Sequence, residues 1–73
     1  MNHEIIETII QQVIQLLAAD DNISEEMARE RFYLSDIFEK LNDIETGLYQ
    51  QEPAYIYELL KEEEITRLMQ YIF

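Results

Sequence analysis

The stretch of sequence that decides the fold is residues 5–18, which read IIETIIQQVIQLLA. Its apolar side chains recur every four residues in two parallel rows, 5-9-13-17 and 6-10-14-18. Because an α-helix turns about 100° per residue, such rows form one broad apolar ridge that packs against a crossing helix. We therefore predict a helix from Asn2 or His3 to Ala19. The ridge consists of Ile5, Ile6, Ile9, Ile10, Val13, Ile14, Leu17 and Ala18.

Capping signals divide the rest of the chain into further helices. Ser24, followed by two glutamates, predicts the N-cap of a helix that runs to Arg31. Ser35 predicts a second N-cap, before a short helix from Asp36 to Leu41. Pro53 predicts the first residue of the last helix, since a missing N–H costs nothing there.

Residues 42–52 are predicted to form the one loop. They contain Gly47, the only glycine of the chain, which we expect to adopt a positive φ. Leu48 and Tyr49 are expected to pin this loop against the body. Strand signals are lacking, since no segment alternates with a period of two residues. The sequence thus predicts an all-α fold, a compact bundle of three to five helices with one loop, in a single domain over residues 1–73.

The last helix carries two apolar stripes that differ in phase. The first consists of Tyr55, Ile56, Leu59 and Leu60, and the second of Ile65, Leu68, Met69 and Ile72. Continuing from Ile56 and Leu60 in steps of four reaches Glu64 and not Ile65. Two structures fit this pattern: a helix that breaks near Glu62–Glu64, or one long helix that presents two faces.

The charge of the chain limits its partners. Sixteen acidic residues against five basic ones give a formal net charge of −11. Binding to nucleic acid or to an anionic membrane requires clustered Lys and Arg, so both are excluded as direct partners. A basic protein partner fits the same charge, and so does a solvated surface that only keeps the protein soluble.

Composition also indicates a compartment. The chain has no cysteine, which excludes disulfides and thiolate chemistry and is typical of a cytoplasmic protein. Neither a secretory signal nor an apolar run of about 20 residues is present in the sequence. We therefore expect a cytoplasmic protein.

Chemical motifs are weak throughout. Asp20, Asn22, Ser24 and Glu26 alternate as in a calcium loop, but the glycine and the terminal glutamate of such a loop are missing. His3 has no partner at a suitable spacing, and no hydroxyl lies in a nucleophile motif. The sequence predicts no catalytic, cofactor-binding or metal-binding residue, and no enzyme activity.

The strongest functional feature is the apolar end of the last helix. Ile65, Leu68, Met69, Ile72 and Phe73 crowd into nine residues. Large apolar patches on small proteins usually mark association, and a second copy is the simplest cover. We predict self-association through these residues and part of the first helix. The alternative is that they fold back over the first helix of the same chain.

A second candidate surface combines aromatic and acidic residues. Tyr49 and Tyr57 flank Pro53, and a tyrosine suits an interface because its ring is apolar and its tip is polar. Together with Glu62, Glu63 and Glu64 they form a candidate partner surface. The alternative is that the tyrosines only cover the fold and that the glutamates only face solvent.

The middle of the chain resembles a known family. The matching features are Phe32-Tyr-Leu-Ser35, the turn Glu45-Thr-Gly-Leu-Tyr49, and Pro53-Ala-Tyr-Ile-Tyr-Glu-Leu-Leu60. This pattern is similar to that of a family of short acidic bacterial proteins with no assigned activity. The resemblance implies a regulatory or neutralising role through protein contacts and transfers no catalytic residue.

These observations lead to one main functional hypothesis. We expect a non-catalytic, small acidic interaction protein that forms a homodimer and binds another protein. The first alternative is an antitoxin-like or nucleic-acid-mimicking inhibitor of a basic partner. The second alternative, a metal-binding protein or an enzyme, is disfavoured by the missing motifs.

Overall fold

The computed structural model describes residues 2–72 and is all-α in this range. It contains four α-helices, α1 (Asn2–Asp21), α2 (Glu25–Tyr33), α3 (Asp36–Asn42) and α4 (Pro53–Ile72). Two 3-10 turns, Ile44–Thr46 and Leu48–Gln50, connect α3 to α4. The predicted all-α bundle of three to five helices is confirmed.

The predicted helix boundaries hold to within two residues. Ser24 caps α2 by accepting a hydrogen bond from the Met27 N–H, and Ser35 caps α3 in the same way from the Phe38 N–H. Pro53 is the first residue of α4, as predicted. These signals are local, because each hydroxyl accepts from a backbone group three residues later.

The end of α1 is a correction to the predicted boundary. The helix continues past Ala19 to Asp21 and stops at Asn22, which has a φ of 53°. The Ile23 N–H then donates to the Ala18 carbonyl at 3.0 Å, a bond typical of a helix that ends in a left-handed residue. A negative charge at the C-terminal end of a helix is unfavourable because it opposes the helix dipole. The ion pairs of Asp21 with Arg31 and Lys61 offset this cost.

The core is a single cluster to which all four helices contribute. Apart from Ile5 and Ala18, every residue of the predicted α1 ridge is buried. Ile5 is a correction, since about half of its side chain is exposed. The ridge packs against side chains from α2, α3 and α4. These are Ala28, Phe32, Ile37, Leu41, Ile56 and Leu60.

The segment from 42 to 52 is more regular than a loop. Gly47 separates the two 3-10 turns with a φ of 69°, so its predicted positive φ is confirmed. The Thr46 hydroxyl lies 2.6 Å from the Lys40 carbonyl and accepts a hydrogen bond from the Leu48 N–H at 3.2 Å. Leu48 and Tyr49 pack against the core, as predicted. The turn Glu45-Thr-Gly-Leu-Tyr49, which carries the family resemblance, therefore connects α3 to α4 and packs against the core.

Candidate self-association surface

The last helix is one continuous element with two faces. Ile56 and Leu60 are fully buried, whereas Ile65 lies nine residues after Ile56, about 180° around the helix axis. Of the two structures that the sequence left open, the long helix with two faces is the observed one. We call Ile65, Leu68, Met69 and Ile72 the α4 stripe.

The stripe lies on a part of α4 that stands clear of the body. Every described side chain from Ile65 to Tyr71 is exposed, on all sides of the helix. The exposed fractions are 55% for Ile65, 62% for Leu68, 51% for Met69 and 94% for Tyr71. The side chain of Ile72 and the whole of Phe73 lie outside the described part of the chain. The alternative in which this end folds back over α1 is not observed for the described residues.

An ionic cluster fixes the direction in which α4 leaves the body. Arg31 of α2 donates to Glu64 of α4 at 2.7 and 3.2 Å and to Asp21 of α1 at 2.8 Å. Lys61 donates to Asp21 at 3.1 Å. The hydrogen bonds from Arg31 and Lys61 lower the pKa of the Asp21 carboxyl, and the bond to Glu64 raises the pKa of Arg31. The cluster joins three helices at the last buried turn before the stripe.

Glu63 has a different structural role. Its carboxylate accepts hydrogen bonds from the backbone N–H groups of Asp36 and Ile37, at 3.3 and 3.1 Å, and so caps the start of α3. Arg67 bridges Glu63 at 3.2 Å and Asp36 at 3.4 Å. Of the three consecutive glutamates proposed for a partner surface, Glu62 alone is exposed. The acidic part of that surface must therefore be revised, because Glu63 and Glu64 are bound within the fold.

The two tyrosines of the candidate partner surface lie apart from the stripe. Tyr57 is partly buried against the core, and its hydroxyl donates to the Asp20 carboxylate. Burial, and then the contact with Asp20, raise the pKa of Tyr57 well above its usual value. Tyr55 belongs to the first apolar stripe but is exposed, because Ile56 and Leu60 face the core and Tyr55 lies about 100° and 140° around the helix from them. Tyr49 lines a groove beside α1.

This groove is a shallow concavity beside α1. Its first part, about 520 Å³, lies between α1 and residues 49–53, and a second part of about 380 Å³ continues toward the end of α1. Gln12 and Pro53 line both parts, so they form one channel that we call the α1 groove. Its apolar lining comes from Ile5, Ile9, Leu16, Ala19, Tyr49 and Pro53. Two acidic residues, Glu4 and Glu52, also line the first part, whereas the second part is lined by uncharged residues alone.

The α1 groove lies along an uncharged segment. Residues 8–19 contain no Asp, Glu, Lys or Arg, in a chain of which 29% of residues are charged. The solvent side of this segment carries Thr8, three glutamines and Leu16, which is 39% exposed. Loss of charged residues is the compositional mark of an interface core. The sequence analysis missed this feature, although the run can be seen in the sequence itself.

A second, smaller concavity lies on α2. Its volume is about 390 Å³, and it is lined by Glu26, Arg29, Glu30, Tyr33 and Leu34. Met27 and Leu34 are exposed nearby. Three of its five lining residues are charged, whereas the second part of the α1 groove is lined by uncharged residues alone.

The residues of the calcium-like alternation serve the connection between α1 and α2. Asn22 takes the left-handed conformation, Ser24 caps α2, and Asp20 accepts from Tyr57. Among the described residues, no three Asp, Glu or His side chains are placed to hold a metal ion. Within the same range, none of the helices combines the length and apolar character needed to cross a membrane.

Comparison of the chain with protein-family models, with curated proteins and with solved structures found no match. The resemblance to the family of short acidic bacterial proteins therefore stays a prediction.

Proposed function

We propose that this protein is a non-catalytic, acidic interaction protein that acts as a homodimer, with the α4 stripe as its self-association surface. The observation that carries this proposal is the exposure of Ile65, Leu68 and Met69 on a helix that stands clear of the body. Apolar anchors at i, i+3, i+4 and i+7 are the pattern with which a helix enters a partner's groove.

Burial of this surface favours association. Full burial of a large aliphatic side chain contributes about 1.5–3 kcal/mol, and Ile65, Leu68 and Met69 keep half or more of that contribution unused in the monomer. In a dimer both copies contribute, so each anchor counts twice. Arg67 is the only charged residue between Ile65 and Phe73, which keeps the desolvation cost small.

The first prediction tests the stripe with a pair of matched variants. We expect Ile65→Glu with Leu68→Glu to raise the dimer dissociation constant by about 100-fold or more, since two anchors become charged. Both side chains are exposed, so the monomer should keep its helical circular dichroism. Sedimentation velocity measures the association, and a reduction of the helical signal would show a folding defect instead.

The matched control adds the same charge outside the stripe. Thr66→Glu with Gln70→Glu also introduces two acids, on exposed positions to the side of the stripe. We expect this variant to dimerise like the wild type, within a few-fold. A wild-type protein that stays monomeric at roughly 1 mM would overturn the proposal. Its free energy of dimerisation would then be weaker than about 4 kcal/mol.

A basic protein partner is the second proposal. Three of the five basic side chains are already engaged within the fold, which supports this proposal. Arg31, Lys61 and Arg67 all form ion pairs with acidic residues of the same chain. The acids that outnumber them leave an acidic surface, on which Glu58 and Glu62 are exposed side by side along α4. Changing these two to Gln should weaken capture of a basic partner and leave the dimer intact, whereas the stripe variant should break the dimer.

A further inference from the structure

We infer that the α4 stripe of one copy docks into the α1 groove of a second copy, and that the second copy returns the same contact. This inference rests on the proposed self-association and names the surface that receives the stripe. The alternative within the same proposal is a stripe that packs on the partner's stripe.

The stripe does not reach the groove of its own chain. Pro53 lines the groove, and α4 runs from there as one continuous helix past the ionic cluster at Asp21. Leu68 lies 15 residues after Pro53, which places it about 22 Å along the helix axis. Because the helix is unbroken, the stripe can enter such a groove only on another copy of the chain.

Charge selects the groove as the receiving surface. Each copy carries −11, so association is least opposed where acidic residues are fewest. The two segments with the fewest charges are residues 8–19, with none, and residues 65–73, with Arg67 alone. Bringing these two segments together places the stripe against the uncharged second part of the groove, and the acids Glu4 and Glu52 lie at the other end of the groove.

The chemistry of the groove suits an apolar helix. Ile5, Leu16 and Ala19 offer apolar contact, and the glutamines along α1 can bond with water or with the polar edge of the stripe. The concavity on α2 suits it less well, because Glu26, Arg29 and Glu30 all line it, whereas the second part of the α1 groove offers a wall without any charge to desolvate.

Area and symmetry favour the reciprocal arrangement. The stripe covers only about two helical turns, and stripe-on-stripe packing would bury one small patch per copy. Stable interfaces bury roughly 1,200 Å² or more in total. Reciprocal docking buries a stripe and a groove on each copy, and a two-fold axis closes the assembly at two copies.

The experiment introduces charge into the groove and compares it with the same charge on α2. Ile5→Glu with Leu16→Glu alters two exposed positions of the groove, and Met27→Glu with Leu34→Glu alters two exposed positions outside it. We expect the groove variant to weaken the dimer by about tenfold or more in sedimentation velocity, and the α2 variant to change it by less than about threefold. A groove variant that dimerises like the wild type overturns the inference and leaves the proposed function standing if the stripe variant is monomeric.

Disulfide trapping supplies a second measurement that does not depend on weakened binding. The chain has no cysteine, so Gln12→Cys in the groove and Met69→Cys in the stripe each give a protein with a single thiol. The two variants are mixed and oxidised, and mass spectrometry identifies the products. A disulfide forms where Cα atoms approach within about 7 Å.

The products separate the two arrangements. Stripe-in-groove docking predicts that the mixed disulfide, which joins one Gln12→Cys chain to one Met69→Cys chain, exceeds both homodimers. A Met69→Cys homodimer that equals or exceeds the mixed product would overturn the inference in favour of stripe-on-stripe packing. Absence of any cross-linked product from variants that still dimerise would overturn it as well.

Discussion

The hydroxyl of Tyr57 joins α4 to the end of α1. It donates to the carboxylate of Asp20, while the Lys61 ammonium lies 6.0 Å from the centre of the Tyr57 ring. A neutral phenol suits this position, because ionisation would place a second negative charge beside Asp20. The raised pKa of Tyr57, caused first by burial and then by Asp20, reflects this arrangement.

This contact predicts an alkaline limit to stability. Since the pKa of Tyr57 is raised in the folded state, its contribution is fully present below the ordinary value of 10.0 and is lost as the pH rises above it. A titration followed at about 295 nm, where ionised phenols absorb, should show a late step that corresponds to one of the five tyrosines. Tyr57→Phe should remove the late step and lower the free energy of unfolding at neutral pH by about 1 kcal/mol. If the late step persists in this variant, another tyrosine is responsible.

The short helix α3 is capped by Glu63, a residue far away in the sequence. It has only seven residues, and an isolated helix of this length is unstable in water. Ser35 supplies a local cap, and Glu63 supplies a second one across 26 residues. The carboxylate also lies at the positive end of the helix dipole, where a negative charge is favourable.

The capping role of Glu63 predicts unequal effects of neighbouring substitutions. Glu63→Ala should lower the free energy of unfolding by about 1 kcal/mol, because two backbone N–H groups of α3 lose their acceptor. Glu62→Ala, at an exposed position beside it, should change stability by less than about 0.5 kcal/mol. Urea unfolding at one protein concentration, on the monomeric Ile65→Glu and Leu68→Glu background, keeps dimerisation out of the comparison. Equal losses for both variants would contradict the capping role.

Helix boundaries could be predicted from the sequence because their signals are local. Ser24, Ser35, Gly47 and Pro53 each act on backbone within a few residues. Local patterns do not tell Glu62 from Glu63, since the two are equivalent until the rotation of α4 is fixed. Leu60 fixes that rotation, and the residues three and four positions later share its face. That rule applied to Leu60 points to Glu63 and Glu64, so the signal was present in the sequence.

The groove and Tyr57 were harder to foresee. The groove exists only because residues 49–53 return beside α1, a contact set by the two 3-10 turns. Tyr55 and Tyr57 lie on either side of Ile56, but only Tyr57, three residues before Leu60, shares the face of Leu60, so the pattern favours Tyr57 for the core side. The hydrogen-bond partner of Tyr57 could not be predicted, because the position of Asp20 depends on where α1 ends.

At the scale of the whole molecule, charge and apolar surface oppose each other. The protein measures 42 × 27 × 17 Å and carries a net charge of −11, so a dimer brings two strongly acidic bodies into contact. In the proposed dimer, the contacting residues are apolar, and the acidic residues that oppose association are distributed over the rest of the surface. Salt should therefore weaken the electrostatic repulsion between the two copies and leave the apolar contribution to dimerisation nearly unchanged.

This balance predicts a dimer that tightens with salt. Two charges of −11 separated by about the 27 Å width of the molecule repel one another. Raising the ionic strength from about 0.05 M to about 0.5 M removes roughly 2 kcal/mol of that repulsion, or about 30-fold in the dissociation constant. Sedimentation equilibrium in sodium chloride measures this directly. Glu58→Gln with Glu62→Gln lowers the charge by two per copy and should flatten the dependence, whereas a dimer that dissociates on adding salt would point to an interface made of ion pairs.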